Sequence, residues 1–464
     1  MKRSLYDLVV VGAGSGGYAA ARTARECGAT VALVDHGPLG GLCILRGCMP
    51  SKALLASSDA LQDAREAHLL GIEVAGAHAD FEQIMARKRT LVAQFAQDRI
   101  AGIETFPTYV GQARFLGGNE LAVGDDVVLA AKKFILATGS VVAPVAIDGL
   151  REVGYLDSDD VLELREVPAS VAVLGGGYVG CELGQFLARL GSKTTMIVRA
   201  ARLLSSVDAD IGEALTGYFR EEGIEICTAT QVLRVERRAE KKVLHVVADG
   251  VHGEIIVDEI FYAQGRVPNI SGLGLEAAGV TAHAITGIDV DDTLRTSNPD
   301  IYAVGDVTGE YLLVHVAIYQ GELAARNALG VDVQAADYAL QSAHTIFSDP
   351  QIAVVGKTER QLLAAGTGFL KGTYAFAEHG KAMCLGKTKG FVKMLALPED
   401  GRILGAAVIG PQASELIHEV IVAMHYGAKV QDFMRIVHLH PTLAEIWTYP
   451  AEECASRLTV EMAG

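Results

Sequence analysis

The apolar run Leu8–Val11 leads straight into a glycine-rich turn, and then into a stretch where alanine recurs at helical spacing. A short apolar run bounded by glycine reads as a strand buried on both faces, and the alanine-rich stretch as a helix laid against it. The pattern returns about 160 residues on, where VAVLGGGYVGCE at 171–182 matches DLVVVGAGSGG at 7–17. Each helix is followed by another apolar strand, Thr30–Val34 and Thr194–Val198. Two βαβ units in one chain predict two dinucleotide-binding domains. Residues 51–100 read as mainly helical, while Phe134–Ser140, Ile255–Gly265 and Asp300–Asp306 read as strands closing on turns. From about Tyr338, short strands such as Gln351–Gly356 and Phe391–Ala396 alternate with helices such as Ser414–Tyr426. The expected fold class is α/β, two Rossmann-like domains followed by a C-terminal α+β domain.

Composition narrows the function classes. Half of the 464 residues are hydrophobic, enough for large cores, and the net charge of -16 argues against nucleic acid as a partner. No uninterrupted apolar run approaches the roughly 18 residues of a membrane span, and Leu8–Val11 is short for a secretion signal. Seven cysteines are an odd number for a secreted disulfide framework. The expectation is a cytoplasmic protein with neither membrane nor nucleic acid as partner, in which a close cysteine pair is redox-active or metal-binding.

Gly12, Gly14 and Gly17 stand between strand and helix. The first permits a tight turn, the second lets a pyrophosphate approach the backbone, and the third allows close helix–sheet packing. The helix N-terminus then faces phosphates with its N–H groups and partial positive charge. Asp35 ends the next strand, where an acid accepts from ribose hydroxyls. Gly175, Gly177 and Gly180 repeat the arrangement.

Cys43 and Cys48 lie within GGLCILRGCMPSK at 40–52. In a regular helix, residues five apart are about 7.5 Å apart along the axis and about 140° around it. A disulfide needs Cα atoms roughly 4.4–6.8 Å apart, so a bridge requires a distorted helix, and Gly47 offers the freedom. A strained bridge is more easily reduced, which suits catalysis. Two readings compete: a zinc site, for which no further ligands follow at finger-like spacing, and a pair of inert buried thiols. In HLHPTLAE at 438–445, Pro441 suits a helix start, leaving His440 at the loop edge and Glu445 one turn inside. A histidine held by a carboxylate can serve a thiol as base. The plain alternative is a helix start without chemistry. His438 is left unassigned, since a loop histidine is usually solvated.

These motifs, with ATGS at 137–140, GRVPN at 265–269 and YAVGD at 302–306, resemble the class I pyridine nucleotide–disulfide oxidoreductases along essentially the whole chain. That family includes dihydrolipoamide dehydrogenase, glutathione reductase and mercuric reductase. The resemblance implies FAD and NAD(P) as cofactors and no metal. It assigns 1–150 and 266–336 to FAD, 151–265 to NAD(P) and 337–464 to dimerisation. It makes Cys43 the thiol that exchanges with substrate and Cys48 the thiol that passes electrons to the flavin. Lys52 would lie beside the flavin and pair with Glu182, and Tyr178 would cover the nicotinamide pocket. His440 and Glu445 would form the acid–base pair, supplied across a homodimer. Further flavin contacts are implied at Gly41, Ala113, Thr138, Gly139, Asp306 and Val314, and nicotinamide-nucleotide contacts at Val232, Gly265 and Arg266.

The strand after the second glycine loop ends on Val198, where NAD-preferring relatives carry an acid, and Arg199 follows, with Arg202 close by. An arginine there pairs with a 2′-phosphate, which favours NADP(H), although Gly180 is more typical of NAD users. The substrate expected is a small dithiol or disulfide or a lipoyl-carrying protein, as for dihydrolipoamide dehydrogenase. The alternative is an NADPH-dependent reductase of another disulfide, or a mercuric reductase-like enzyme. Against mercury stands the single Cys454 where those enzymes carry a vicinal pair near the C-terminus. A non-catalytic flavoprotein subunit and a thiol-independent transhydrogenase are disfavoured by the presence of both Cys43/Cys48 and His440/Glu445.

Overall fold

The computed structural model describes residues 2–458, so the last residues of the expected C-terminal domain lie outside the described ones. Its chain divides into two compact units. One takes the chain up to Ala53, Met85–Pro144 and Gly265–Gln341, and the other takes Leu54–Ile84, Val145–Gln264 and the chain from Ser342 on.

The first unit is built on a seven-stranded sheet. Its parallel part runs Thr108–Val110, Val31–Asp35, Lys2–Val11, Val127–Leu136, with Ile301–Ala303 paired to the last of these. Two antiparallel strands, Glu120–Val123 and Ala113–Gly117, extend it. The apolar run predicted at Leu8–Val11 is the sheet's centre, with Leu8, Val9 and Val10 fully buried. The helix Ser15–Glu26 buries Ala20, Ala21 and Ala24, small side chains that let it approach the sheet closely. The helices Cys48–Glu66 and Phe81–Ile103 account for the helical reading of residues 51–100.

The second unit contains three sheets. A four-stranded parallel sheet runs Glu225–Cys227, Lys193–Ile197, Ser170–Leu174, Glu259–Tyr262. A three-stranded antiparallel sheet follows over 230–257. A five-stranded antiparallel sheet runs His344–Ile346, Gln351–Gly356, Ile403–Gly410, Phe391–Ala396, Leu370–Ala375. The helices Ala413–His425 and Thr448–Ala455 accompany it. The strands Gln351–Gly356 and Phe391–Ala396 fall where the apolar pattern puts them. The α/β architecture with an α+β C-terminal part is therefore observed.

Two charged clusters brace this second unit from within. Arg189 is buried and bonds Glu222, Asp59 and Asp349. Lys393, 1% exposed, bonds Asp208, Asp210 and Glu359 at 2.7–3.0 Å.

Candidate active site

The two glycine loops have the same geometry. Gly12 has φ +105°, and a Cβ there would lie 2.2 Å from Ala137 O; a Cβ on Gly17 would lie 1.8 Å from Gly12 O. Gly175 (φ +125°) and Gly180 repeat this, with Cβ positions 2.4 Å from Ala263 O and 2.5 Å from Gly175 O. The middle glycines differ: nothing lies within 4 Å of a Cβ at Gly177, and at Gly14 only Gly41 Cα, at 4.0 Å. The loops are thus closed where they turn and open where a phosphate would sit against helices Ser15–Glu26 and Tyr178–Arg189. Both loops fit a dinucleotide pyrophosphate.

Asp35 accepts from Ala13 N and Gly37 N at 2.8 Å each, holding the first loop while ending its strand. Gly41, at φ +81°, packs against Gly14, where only a residue without a side chain fits. Asp306 stands in the turn Gly305–Thr308, and burial raises its carboxyl although Ser140 Oγ (2.6 Å) and the charge of Arg266 oppose the shift. Arg266 donates to Ser140 Oγ (2.9 Å) and Ser140 O (2.8 Å). Arg266 thus stands with Asp306 in the first unit. Thr138 donates to Asn269 O (2.7 Å), Gly139 accepts from Asn269 N, Ala113 starts its strand and Val314 its helix. Gln320 anchors the Asp306 turn by accepting from Gly305 N at 2.6 Å.

The helix carrying the cysteines is broken as Gly47 allows. Leu42–Arg46 forms one short helix and Cys48–Glu66 another, with Gly47 at φ −140°, ψ −114° between them. Cys43 and Cys48 lie within hydrogen-bond reach of one another across this break. A hydrogen bond with Cys48 and then burial push the Cys43 thiol up, and the nearby Lys52 charge opposes them.

In the second unit, Tyr178 opens the helix after the second glycine loop and stacks on His344, with ring centroids 5.5 Å apart. Glu182 is buried and accepts from Phe347 N at 2.9 Å. Arg199 is exposed just past the strand Lys193–Ile197, beside buried Val198. Arg202 is turned onto its own loop, donating to Val207 O at 3.3 Å. Val232 is buried in the strand Thr230–Arg238.

His440 Nδ1 lies 2.9 Å from Glu445 Oε2, with the imidazole 81% exposed and the carboxylate 13%. The helix expected to begin at Pro441 does not form there. Thr442 Oγ1 donates to Leu439 O, a side-chain bond that competes with helix initiation, and Glu445 sits in a single turn, Ala444–Trp447, ahead of Thr448–Ala455. His438, left unassigned from the sequence, is paired with Glu419 at 2.5 Å. Ser140, Asn269 and His344, not singled out from the sequence, contact the predicted site residues Asp306, Thr138 and Tyr178 respectively. The first two stand inside the ATGS and GRVPN motifs, while His344 carries no signal of its own.

One unit carries a dinucleotide loop and the Cys43/Cys48 pair, the other a second dinucleotide loop and the His440–Glu445 pair, and these are the parts of a flavoprotein disulfide oxidoreductase. Residues 6–321 match the pyridine nucleotide-disulphide oxidoreductase family, and residues 342–451 match its dimerisation domain. The chain is 35% identical to dihydrolipoyl dehydrogenase of Geobacillus stearothermophilus, covering 96% of this chain and 95% of that one. It is 36% identical to mercuric reductase of Streptomyces lividans, covering 97% and 96%. The solved HOCl-induced flavoprotein disulfide reductase RclA from Escherichia coli superposes with TM-score 0.85 at 27% identity, over 96% of this chain and 99% of that one. The chain belongs to the pyridine nucleotide-disulphide oxidoreductase family, an enzyme family that uses FAD and NAD(P). Among the described residues no helix is long and apolar enough to cross a membrane.

Proposed function

We propose that this enzyme is a homodimer that moves electrons between NAD(P)(H) and a small dithiol/disulfide of the lipoyl type through Cys43 and Cys48. The observation that carries the reading is the dithiol at the helix break, beside Lys52, in a chain that also holds His440 by Glu445. FAD, held by the loop at Gly12, Gly14 and Gly17 with Gly41, Asp35 and Asp306, supplies two-electron transfer between nicotinamide and dithiol. The second loop, Tyr178 and Arg199 hold the nicotinamide nucleotide. Residues 1–150 and 266–336 serve FAD, 151–265 serve NAD(P), and 337–464 dimerise.

In the disulfide-reducing direction, the Cys43 thiolate attacks one substrate sulfur and breaks the S–S bond. The departing thiolate takes a proton from the imidazolium of His440. The Cys48 thiolate then attacks the Cys43 sulfur, which closes the Cys43–Cys48 bridge and releases the second substrate sulfur as a thiolate. Glu445 fixes the tautomer by taking Nδ1–H, so the other ring nitrogen is the one that trades the proton. His440 is exposed in the monomer and comes from the second subunit in this reading.

Exposed Arg199, with Arg202 already committed to Val207, favours NADP(H). Mercury reduction is disfavoured by Cys454, which is fully buried and whose thiol is pushed up to about 11 by that burial. The test is stopped-flow turnover of lipoamide and dihydrolipoamide with each nicotinamide. Thiol-dependent turnover that vanishes in both Cys43→Ser and Cys48→Ser supports the reading; turnover persisting in either variant rejects it.

A further inference from the structure

Glu445 has two carboxylate oxygens, and only Oε2 is used by His440. The other, Oε1, lies 3.5 Å from Nε2 of His379, a residue on a different loop 66 positions away. His379 follows the turn Phe376–Glu378 and caps the short helix Gly380–Leu385, whose Met383 N donates to its carbonyl. Its side chain is fully buried, and neither ring nitrogen has a hydrogen-bond partner. The edge of its ring meets Tyr449, which stacks on Tyr374 at 3.9 Å. The charged groups that act on it are Glu445 and His440. A buried imidazole with both nitrogens unpaired is costly, and 3.5 Å from a carboxylate is one small adjustment away from a hydrogen bond.

We propose that His379 is a positioning residue of the thiol–disulfide exchange step, donating Nε2–H to Glu445 Oε1 and so aiming Oε2 at His440. Burial pushes the His379 imidazole below its ordinary value, and the charge of His440 adds to this while Glu445 opposes it. A neutral imidazole has one N–H, which suits it to donate to a carboxylate without cancelling its charge. Without this donor, Glu445 is held at one oxygen only and its carboxylate can rotate away from the Nδ1 of His440. The inference rests on the assignment of His440 as base.

The experiment uses the full-length dimer in a Cys27→Ser/Cys384→Ser background, which removes the two exposed thiols outside the pair. The dithiol form is mixed with 5,5′-dithiobis(2-nitrobenzoate), and single-turnover exchange is followed at neutral pH. The rate lost in His440→Gln defines the base-dependent part. His379→Phe, matched in bulk but without a donor, is expected to slow exchange by about three- to tenfold, the weight of one hydrogen bond. His379→Gln, whose amide nitrogen reaches as far as Nε2, is expected to restore most of the rate. In a Glu445→Gln background, His379→Phe is expected to have no further effect, because it acts through that carboxylate. Equal losses from His379→Phe with and without Glu445, or no loss at all, overturn the proposal. So does a Gln variant as slow as Phe at the same thermal midpoint. If His440→Gln itself loses no rate, the base assignment falls, and the proposal falls with it.

Discussion

Replacing Lys393 by Met tests whether its charge cluster braces the loop at Ser205 and Ser206. The Lys393 ammonium is 1% exposed and meets Asp208 at 2.9 Å, Asp210 at 2.9 and 3.0 Å, and Glu359 at 2.7 Å. Asp208 also accepts from Glu359 N and Arg360 N. Arg360 in turn donates to Ser205 O and Ser206 O, in the loop whose Ser206 hydroxyl stands 3.5 Å from Tyr178. Removing one partner of a buried ion pair costs about 3–5 kcal/mol, because the remaining charge is left uncompensated. Lys371, 3.1 Å from Glu359 but 42% exposed, compensates in part and places the expected loss near the lower end, about 3 kcal/mol. The signs with pH are fixed. Burial raises Asp208, but Lys393 outweighs it and holds the carboxyl below its ordinary value. Wild-type stability from this carboxylate is therefore present above pH ~4 and lost as pH falls through the lowered value. Burial likewise opposes the raised value of Lys393, which Glu359 and Asp210 maintain, so its contribution is lost only as pH rises past ~10. In the variant the carboxylates repel one another, so acidification from pH 7 to 5 should stabilise it relative to wild type. Their oxygens lie within 4.8 Å of one another, so millimolar Mn2+ should rescue the variant and leave wild type unchanged. The assay is urea unfolding followed by Trp447, the only tryptophan, fully buried with Nε1 donating to Leu416 O. A loss below about 1 kcal/mol, or a variant that weakens relative to wild type on acidification, refutes the reasoning.

Three further outcomes are expected. Wild type should show the higher kcat/KM with NADPH, and Arg199→Ala should cost roughly tenfold or more with it and little with NADH, as steady-state kinetics with both nucleotides would show. A heterodimer of one Cys43→Ser and one His440→Gln subunit should recover about half of wild-type exchange activity, since one of its two composite sites is intact, while each mutant homodimer stays some 10²–10⁴-fold down. Purified heterodimers at the homodimer background would show that the site is built within one chain. Glu445→Gln should slow single-turnover exchange by about ten- to a hundredfold through loss of a charge-assisted bond to His440, with an unchanged thermal midpoint.

What the sequence determined by itself is what depends on near neighbours. The glycine loops are readable because a tight turn and a close backbone approach exclude Cβ at Gly12 and Gly17, and again at Gly175 and Gly180, whatever surrounds them. The Cys43–Cys48 pair is readable because five residues with Gly47 between them leave few local geometries. His440 and Glu445 are close enough in sequence for their bond to survive even though the helix expected at Pro441 gives way to a turn held by Thr442. Only the tertiary structure decided the rest, because burial and pairing there come from segments far apart in the chain. Ser140 and Asp306 meet across 166 positions, and Arg266 joins them in the first unit. Lys393 finds Asp208 across 185 positions, and His438, in a loop, meets Glu419 of the helix Ala413–His425. His379 looks like any loop histidine until packing removes its water and leaves the free oxygen of Glu445 as the nearest acceptor. Local patterns carry backbone geometry and reactive groups; which polar side chains lose water, and which partners then compensate them, is set by the packing of the whole unit.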